Sequence, residues 1–204
     1  MPLASFSDRP IIVPLMRRIW WIPLLWGCSS GPSPDVKSPY PYGRYLGALQ
    51  LAERPNAENV RTLVEMLQDP EYLVRSGAVV ALARIGKPEF AAHLLPRLST
   101  EVETSPMVRG DVCLALAKLK NPQAIVPLLT TLQSDQEGVV RREAAKSLPA
   151  FGKKPEILQG LATAVGDSDV SVSWRAHLSL QEMTGAKSVA MTRDAWNAYL
   201  KDHP

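Results

Sequence analysis

At 204 residues, with 46% hydrophobic, 21% charged and 6% aromatic residues, the chain has an ordinary globular composition and room for a single domain, which excludes wholesale disorder. A formal net charge of +3 is too slight for a nucleic-acid surface, which would need Lys and Arg clustered without the acids that interleave them here. The two cysteines, Cys28 and Cys113, fall in segments of different character, which excludes a disulfide framework.

The first element in chain order is a targeting segment. Arg17 and Arg18 precede the apolar run from Ile19 to Trp26, and Gly27, Cys28, Ser29 and Ser30 follow: a charged region, a short apolar region and a small-residue cleavage site. The run is about half the roughly 20 residues that a spanning helix needs, and Pro23 interrupts it, so a spanning anchor is the weaker reading. Residues 1–27 are therefore read as a signal peptide, and since Met16-Arg17-Arg18 would open a compact one, the true start is expected at Met16. Leu25-Trp26-Gly27-Cys28 resembles the lipobox of bacterial lipoproteins, with Trp26 where that family prefers a small residue. The resemblance implies a lipidated Cys28 as first residue of an exported, membrane-anchored protein of the cell envelope. With Ser29 rather than Asp next, it implies the outer membrane. Two acyl chains hold a protein on a membrane far more firmly than one. Residues 28–43, rich in Pro and Ser and without apolar periodicity, read as an extended tether.

A helix near Arg44 to Glu53 opens the folded part, and from Val74 onward one helix is written four times. Residues 74–86 align with 108–120, 140–152 and 172–184, at spacings of 34, 32 and 32. The first position is always Val, the fifth Ala or Val, the ninth Leu, and the twelfth Ile, Leu, Phe or Met. Steps of four, four and three place these on one helix face, a buried stripe. An amphipathic helix precedes each copy, ending at Leu67, Leu98, Leu132 and Val165. Pro149 lies inside the third copy, where it removes a hydrogen bond to Ala145 and should bend the helix. Two helices per unit at a period in the thirties predict an all-α solenoid, an α-α superhelix of about four to five helix pairs, whose units bury a core only by stacking.

Asp69, Glu103, Asp135 and Asp167 each lie six residues before the position of Arg75, Arg109, Arg141 and Ser173. A carboxylate there can accept from free backbone donors at the start of the second helix and meet an Arg of its own or a neighbouring unit, so these residues predict a structural ladder. Ser173 breaks it, with Arg175 placed to compensate. The Asp, Val-Arg, Ala-Ala, Leu and Ile-Gly pattern over residues 44–185 resembles HEAT-like repeats of the kind named from phycobilisome lyases. The close, Met183-Thr184-Gly185 followed by Asp194 to Leu200, resembles the end of some HEAT-repeat proteins. Residues 186–204 are read as a capping segment in which Trp196 and Leu200 cover the last unit.

The second helix of each unit should line the concave side. Its free face carries Val80 and Arg84, Leu114 and Lys118, Arg142 and Lys146, then Trp174 and Leu178, beside Ser76, Gly110 and Glu182. A mixed apolar and basic groove suits a protein or peptide ligand, with Trp174 as aromatic anchor unless it packs under the C-terminal helix. His93, His177 and His203 lack metal-ligand spacing, Cys113 sits mid-helix as a small core residue, and no phosphate loop or nucleophile elbow is present. The reading is a monomeric, non-enzymatic interaction or scaffolding module without cofactor, metal or nucleic acid. The alternative, implied by the repeats' family name, is bilin lyase-like or chaperone-type action on a tetrapyrrole-binding protein.

Overall fold

The computed structural model describes residues 35–203, which carry ten α-helices and no strand. They are α1 (Pro41–Leu51), α2 (Ala57–Met66), α3 (Tyr72–Ile85), α4 (Ala91–Leu94), α5 (Pro106–Leu119), α6 (Ile125–Ser134), α7 (Gly138–Ser147), α8 (Pro155–Ala164), α9 (Val170–Thr184) and α10 (Arg193–Asp202). None is long and apolar enough to cross a membrane. The odd-numbered helices pack each on the next as a continuous layer, and the even-numbered ones lie against them. The pairs α2–α3, α4–α5, α6–α7 and α8–α9 make four units, with α1 a single helix at one end and α10, docked on α8, at the other.

The repeated stripe is the reason for the layer. Val74, Ala78 and Leu82 in α3 are completely buried, as are Val108, Val112 and Leu116 in α5, Val140 and Ala144 in α7, and Val172, Ala176 and Leu180 in α9. Such burial, at roughly 1.5–3 kcal/mol for each large apolar side chain, is available only when units stack. Gly86 and Gly185 end α3 and α9 in the left-handed conformation (φ 78° and 79°), which glycine adopts without steric cost.

Three segments depart from the expected pattern. The first helix of the second unit is not continuous to Leu98: 3₁₀ turns at Pro88–Phe90 and Leu95–Leu98 flank the four-residue α4. Pro96 has no N–H for the Ala92 carbonyl and its ring crowds that turn, so the chain tightens instead of continuing. Likewise α7 does not bend through Pro149; it stops at Ser147 and a 3₁₀ turn, Leu148–Phe151, follows. The Ala145 carbonyl that Pro149 leaves without its helical donor accepts instead from the buried Ser179 hydroxyl of α9, at 3.0 Å. Ser179→Ala should therefore orphan a buried acceptor and destabilise the fold by about 1–3 kcal/mol. Chemical denaturation checks this, and an unshifted midpoint would refute the role.

The third departure is at the start. Within the expected tether of 28–43, the Asp35 N–H donates to the Gly43 carbonyl at 3.1 Å, Ser38 is buried, and Val36 packs against the core. A side chain on Gly47 would put its Cβ 2.6 Å from the Val36 nitrogen, so Gly47 admits this strand of chain onto α1. The packed part thus already includes residues 35–43, and α1 starts at Pro41 rather than near Arg44, because these contacts hold chain that composition alone reads as loose. The remainder of the tether, the signal peptide and Cys28 lie outside the described residues.

Candidate protein-binding face

Register between units is set by buried ion pairs. The Arg75 guanidinium meets Glu103 through two nitrogens at 2.7 and 2.6 Å, Arg109 meets Asp135 at 2.8 and 3.0 Å, and Arg141 meets Asp167 at 2.8 and 2.8 Å. Each Arg reaches the carboxylate of the following unit, while its remaining nitrogen, Nη1, donates to two carbonyls in its own unit's turn, such as Glu103 and Thr104 for Arg109. Each carboxylate also accepts the N–H two residues on, at Glu71, Ser105, Glu137 and Asp169, the residues that precede α3, α5, α7 and α9. Planar, two-pronged pairing of this kind is among the stronger charge-assisted hydrogen bonds.

The electrostatics follow the geometry. Burial pushes the Asp69 and Glu103 carboxyls up, but the guanidiniums of Arg44 and Arg75 and the backbone N–H donors hold both below the usual carboxylate range. At Asp167 the Arg141 hydrogen bond dominates, with the same result. Two members differ from expectation. Arg44 forms an additional first rung with Asp69, at 2.9 and 3.0 Å. At the far end Ser173 donates to the Val165 carbonyl at 2.6 Å, and Arg175 does not compensate: it reaches Glu182 at 3.9 Å, about two turns along its own helix.

The free face of the continuous layer presents the expected positions. Val80, Leu114, Arg142 and Leu178 are partly exposed, and Arg84, Lys118, Lys146 and Trp174 are exposed, so all eight are reachable on α3, α5, α7 and α9. Ser76 and Gly110 are buried instead. The centre of this face is not simply basic. Glu143 folds back over Gly110, where a Cβ would stand 3.4 Å from its Cγ, and accepts from Arg142 at 2.9 Å with Lys146 at 3.7 Å. Beside it Asp111 accepts from the Ser76 hydroxyl at 2.5 Å. Burial pushes the Asp111 carboxyl up against the pull of that hydroxyl, and the Glu143 carboxylate adds to the rise. Asp111 and Glu143 were not singled out from the sequence; their signal is that they occupy the place of Gly77 in the other copies.

Trp174 is 53% exposed and its ring lies 6.0 Å from that of His177. The aromatic side chain where α10 docks is that helix's own Trp196, completely buried, whose Nε1–H donates to His177 Nδ1 at 2.9 Å. His177 is therefore neutral, with its proton on Nε2, and burial holds its pKa below the ordinary histidine value. The Cys113 thiol is completely buried and burial pushes its pKa up, away from the thiolate a nucleophile requires. No three His, Cys, Asp or Glu side chains among the described residues are grouped to hold a metal ion. A cleft of about 390 Å³ between α8 and α10, with Leu158, Tyr199 and Leu200 on its walls, lies away from this face.

Comparison with known proteins agrees with this architecture. A chain in the complex of CpcE and CpcF of phycocyanin lyase from Nostoc sp. PCC7120 superposes with a TM-score of 0.50 at 19% sequence identity, covering 86% of this chain and 72% of that one, a likeness of fold. No curated protein matches the sequence. The family model for HEAT repeats matches residues 35–104 and 102–149, which take in the first three copies of the stripe down to Leu148 and the ladder rungs as far as Arg109–Asp135. With more than half its length matched in this way, the chain belongs to the HEAT-repeat family.

Proposed function

We propose that the protein is a non-enzymatic interaction module, lipid-anchored in the cell envelope through Cys28, which receives a segment of another protein on the free face of its continuous layer. The observation that carries this reading is the alignment, across four packed helices, of Val80, Leu114, Lys146 and Leu178 with a half-exposed Trp174 at one end. Aromatic anchors flanked by apolar contacts supply much of the energy at protein interfaces. Affinity capture from the host's solubilised envelope, with wild type beside Leu114→Ser/Trp174→Ala, tests it. A partner reduced at least tenfold by the double variant is expected, and an unchanged partner set would sink the reading. The anchor has its own test: Cys28→Ser should leave the membrane fraction, whereas an unchanged fraction and intact mass would count against lipidation.

A second reading is favoured by one observation, the likeness of fold to a chain of a phycocyanin lyase complex. In that case the same face would hold a bilin-carrying protein. Visible absorbance retained by the purified chain after incubation with a bilin would support it, and a colourless protein would not.

A further inference from the structure

Partner chemistry is written along one edge of that face, where each helix of the continuous layer begins. Helix N-termini favour acidic side chains in their first turn. Three of the even-numbered helices follow this, α2, α8 and α10, with Glu58, Glu156 and Asp194, whereas α4 and α6 do not. In α1, α3, α5, α7 and α9 no first turn is acidic. They carry Tyr42, Tyr72, Met107, Val139 and Val170 instead, each between 40% and 76% exposed. The ladder ties these helix starts side by side, so each presents one exposed apolar side chain along this edge, a broken ridge that shifts between two neighbouring repeat positions. Apolar exposure gathered on one edge in this way marks a contact surface.

Exposed or part-exposed acids stand beside the ridge. Glu71, Glu137 and Asp169 precede α3, α7 and α9, and among the described residues none has a cation within ion-pair distance. The ladder arginines lie near enough to attract these acids, but their N–H donors are bonded to the ladder carboxylates and turn carbonyls, and Asp169 also accepts from the Ser171 N–H and hydroxyl, so direct pairing with a cation remains open mainly at Glu71 and Glu137. An anionic lipid surface or a nucleic acid would be repelled here. We infer that the ridge binds a polypeptide segment of another protein in which apolar side chains alternate with Lys or Arg, the apolar ones seated between neighbouring helix starts and the cations meeting Glu71 and Glu137. Tyr42 and Tyr72 suit the same ligand, since a Lys or Arg head can lie over a tyrosine ring. This rests on the reading of the free face as a protein-binding surface and names its partner class.

The probe is a fluorescein-labelled dodecapeptide alternating lysine with leucine, titrated into the full chain and followed by anisotropy. Peptides alternating lysine with serine, or glutamate with leucine, serve as controls. Binding at least tenfold tighter than either control is expected. Met107→Ser/Val139→Ser should weaken it about tenfold, and Glu71→Lys/Glu137→Lys should weaken it similarly while strengthening the glutamate–leucine peptide. All four positions are solvent-facing, and unchanged thermal melts confirm that the variants fold. Equal affinity for the two leucine peptides, or binding indifferent to both variants, overturns the inference. Loss of peptide binding in Leu114→Ser/Trp174→Ala alone would keep the proposed function and reject the ridge. Wild type that sediments as an oligomer dissociated by Met107→Ser/Val139→Ser would mean that a second copy occupies it, which also rejects this partner.

Discussion

Asp135→Ala is expected to lower the free energy of unfolding by about 3–5 kcal/mol, the loss typical when one partner of a buried ion pair is removed. The Arg109 and Asp135 side chains are only 3% and 2% exposed, so the substitution strands a guanidinium out of reach of water. It also removes the acceptor for the Glu137 N–H ahead of α7. Asp69→Ala, at the more open end of the ladder where the partners are 14% and 17% exposed, should cost less because water can replace the lost carboxylate. Replacing both Arg109 and Asp135 by apolar residues of similar volume should come closer to neutral than Asp135→Ala alone. Urea unfolding of the three variants measures this order. Equal losses at Asp69 and Asp135 would show that burial does not set the strength of the rungs.

Trp196→Ala should be about as damaging, at about 3–5 kcal/mol, since it empties a fully buried indole site under the last pair. Trp196→Phe separates the two parts of the interaction. It keeps most of the bulk but leaves His177 Nδ1 without its donor, for a loss of about 1–3 kcal/mol. The same contact carries a pH dependence. Because burial depresses the folded-state pKa of His177, its contribution is fully present above the ordinary histidine value near 6.5 and is lost as pH falls through the depressed value. The carboxylates of Asp69, Glu103 and Asp167 are also depressed, so their loss begins only at more acid pH. Thermal melts from pH 8 to 5 should fall on the acid side in wild type and flatten in His177→Phe. Parallel curves would rule out His177 as the titrating group.

The layer was legible because its stripe repeats strictly: Val, Ala or Val, Leu and a large apolar residue recur at one helical spacing, and all four copies bury the first three, with the last buried at Leu119 and Met183 and half-buried at Ile85 and Phe151. The ladder residues were legible by type, but their pairing was not. A carboxylate six residues before one Arg and about a unit beyond another suits both equally, and only packing decides. Arg44 was hidden because α1 has Gly43 and Gly47 where the other copies have Val and Ala or Val, which masks the repeat. The break at Pro96 was visible in principle, since proline inside a helical pattern predicts an interruption. Trp196 was expected in the cap, but its partner was not. Nothing periodic links it to His177, and the pair meets only after α10 docks.

The ladder also has a direction. Each guanidinium reaches forward to the following unit; among the described residues Arg44 makes the first rung, and Ser173 has no guanidinium to offer beyond the last. Among the described residues, the rungs between the first and the last are equivalent in their connections. Excising residues 109–140 would place Arg141 where Arg109 stood, facing the Glu103 turn behind it and Asp167 ahead. The length of this protein is a quantity adjustable from within, one whole unit at a time, whereas extension past Thr184 would require a new cation at position 173 first.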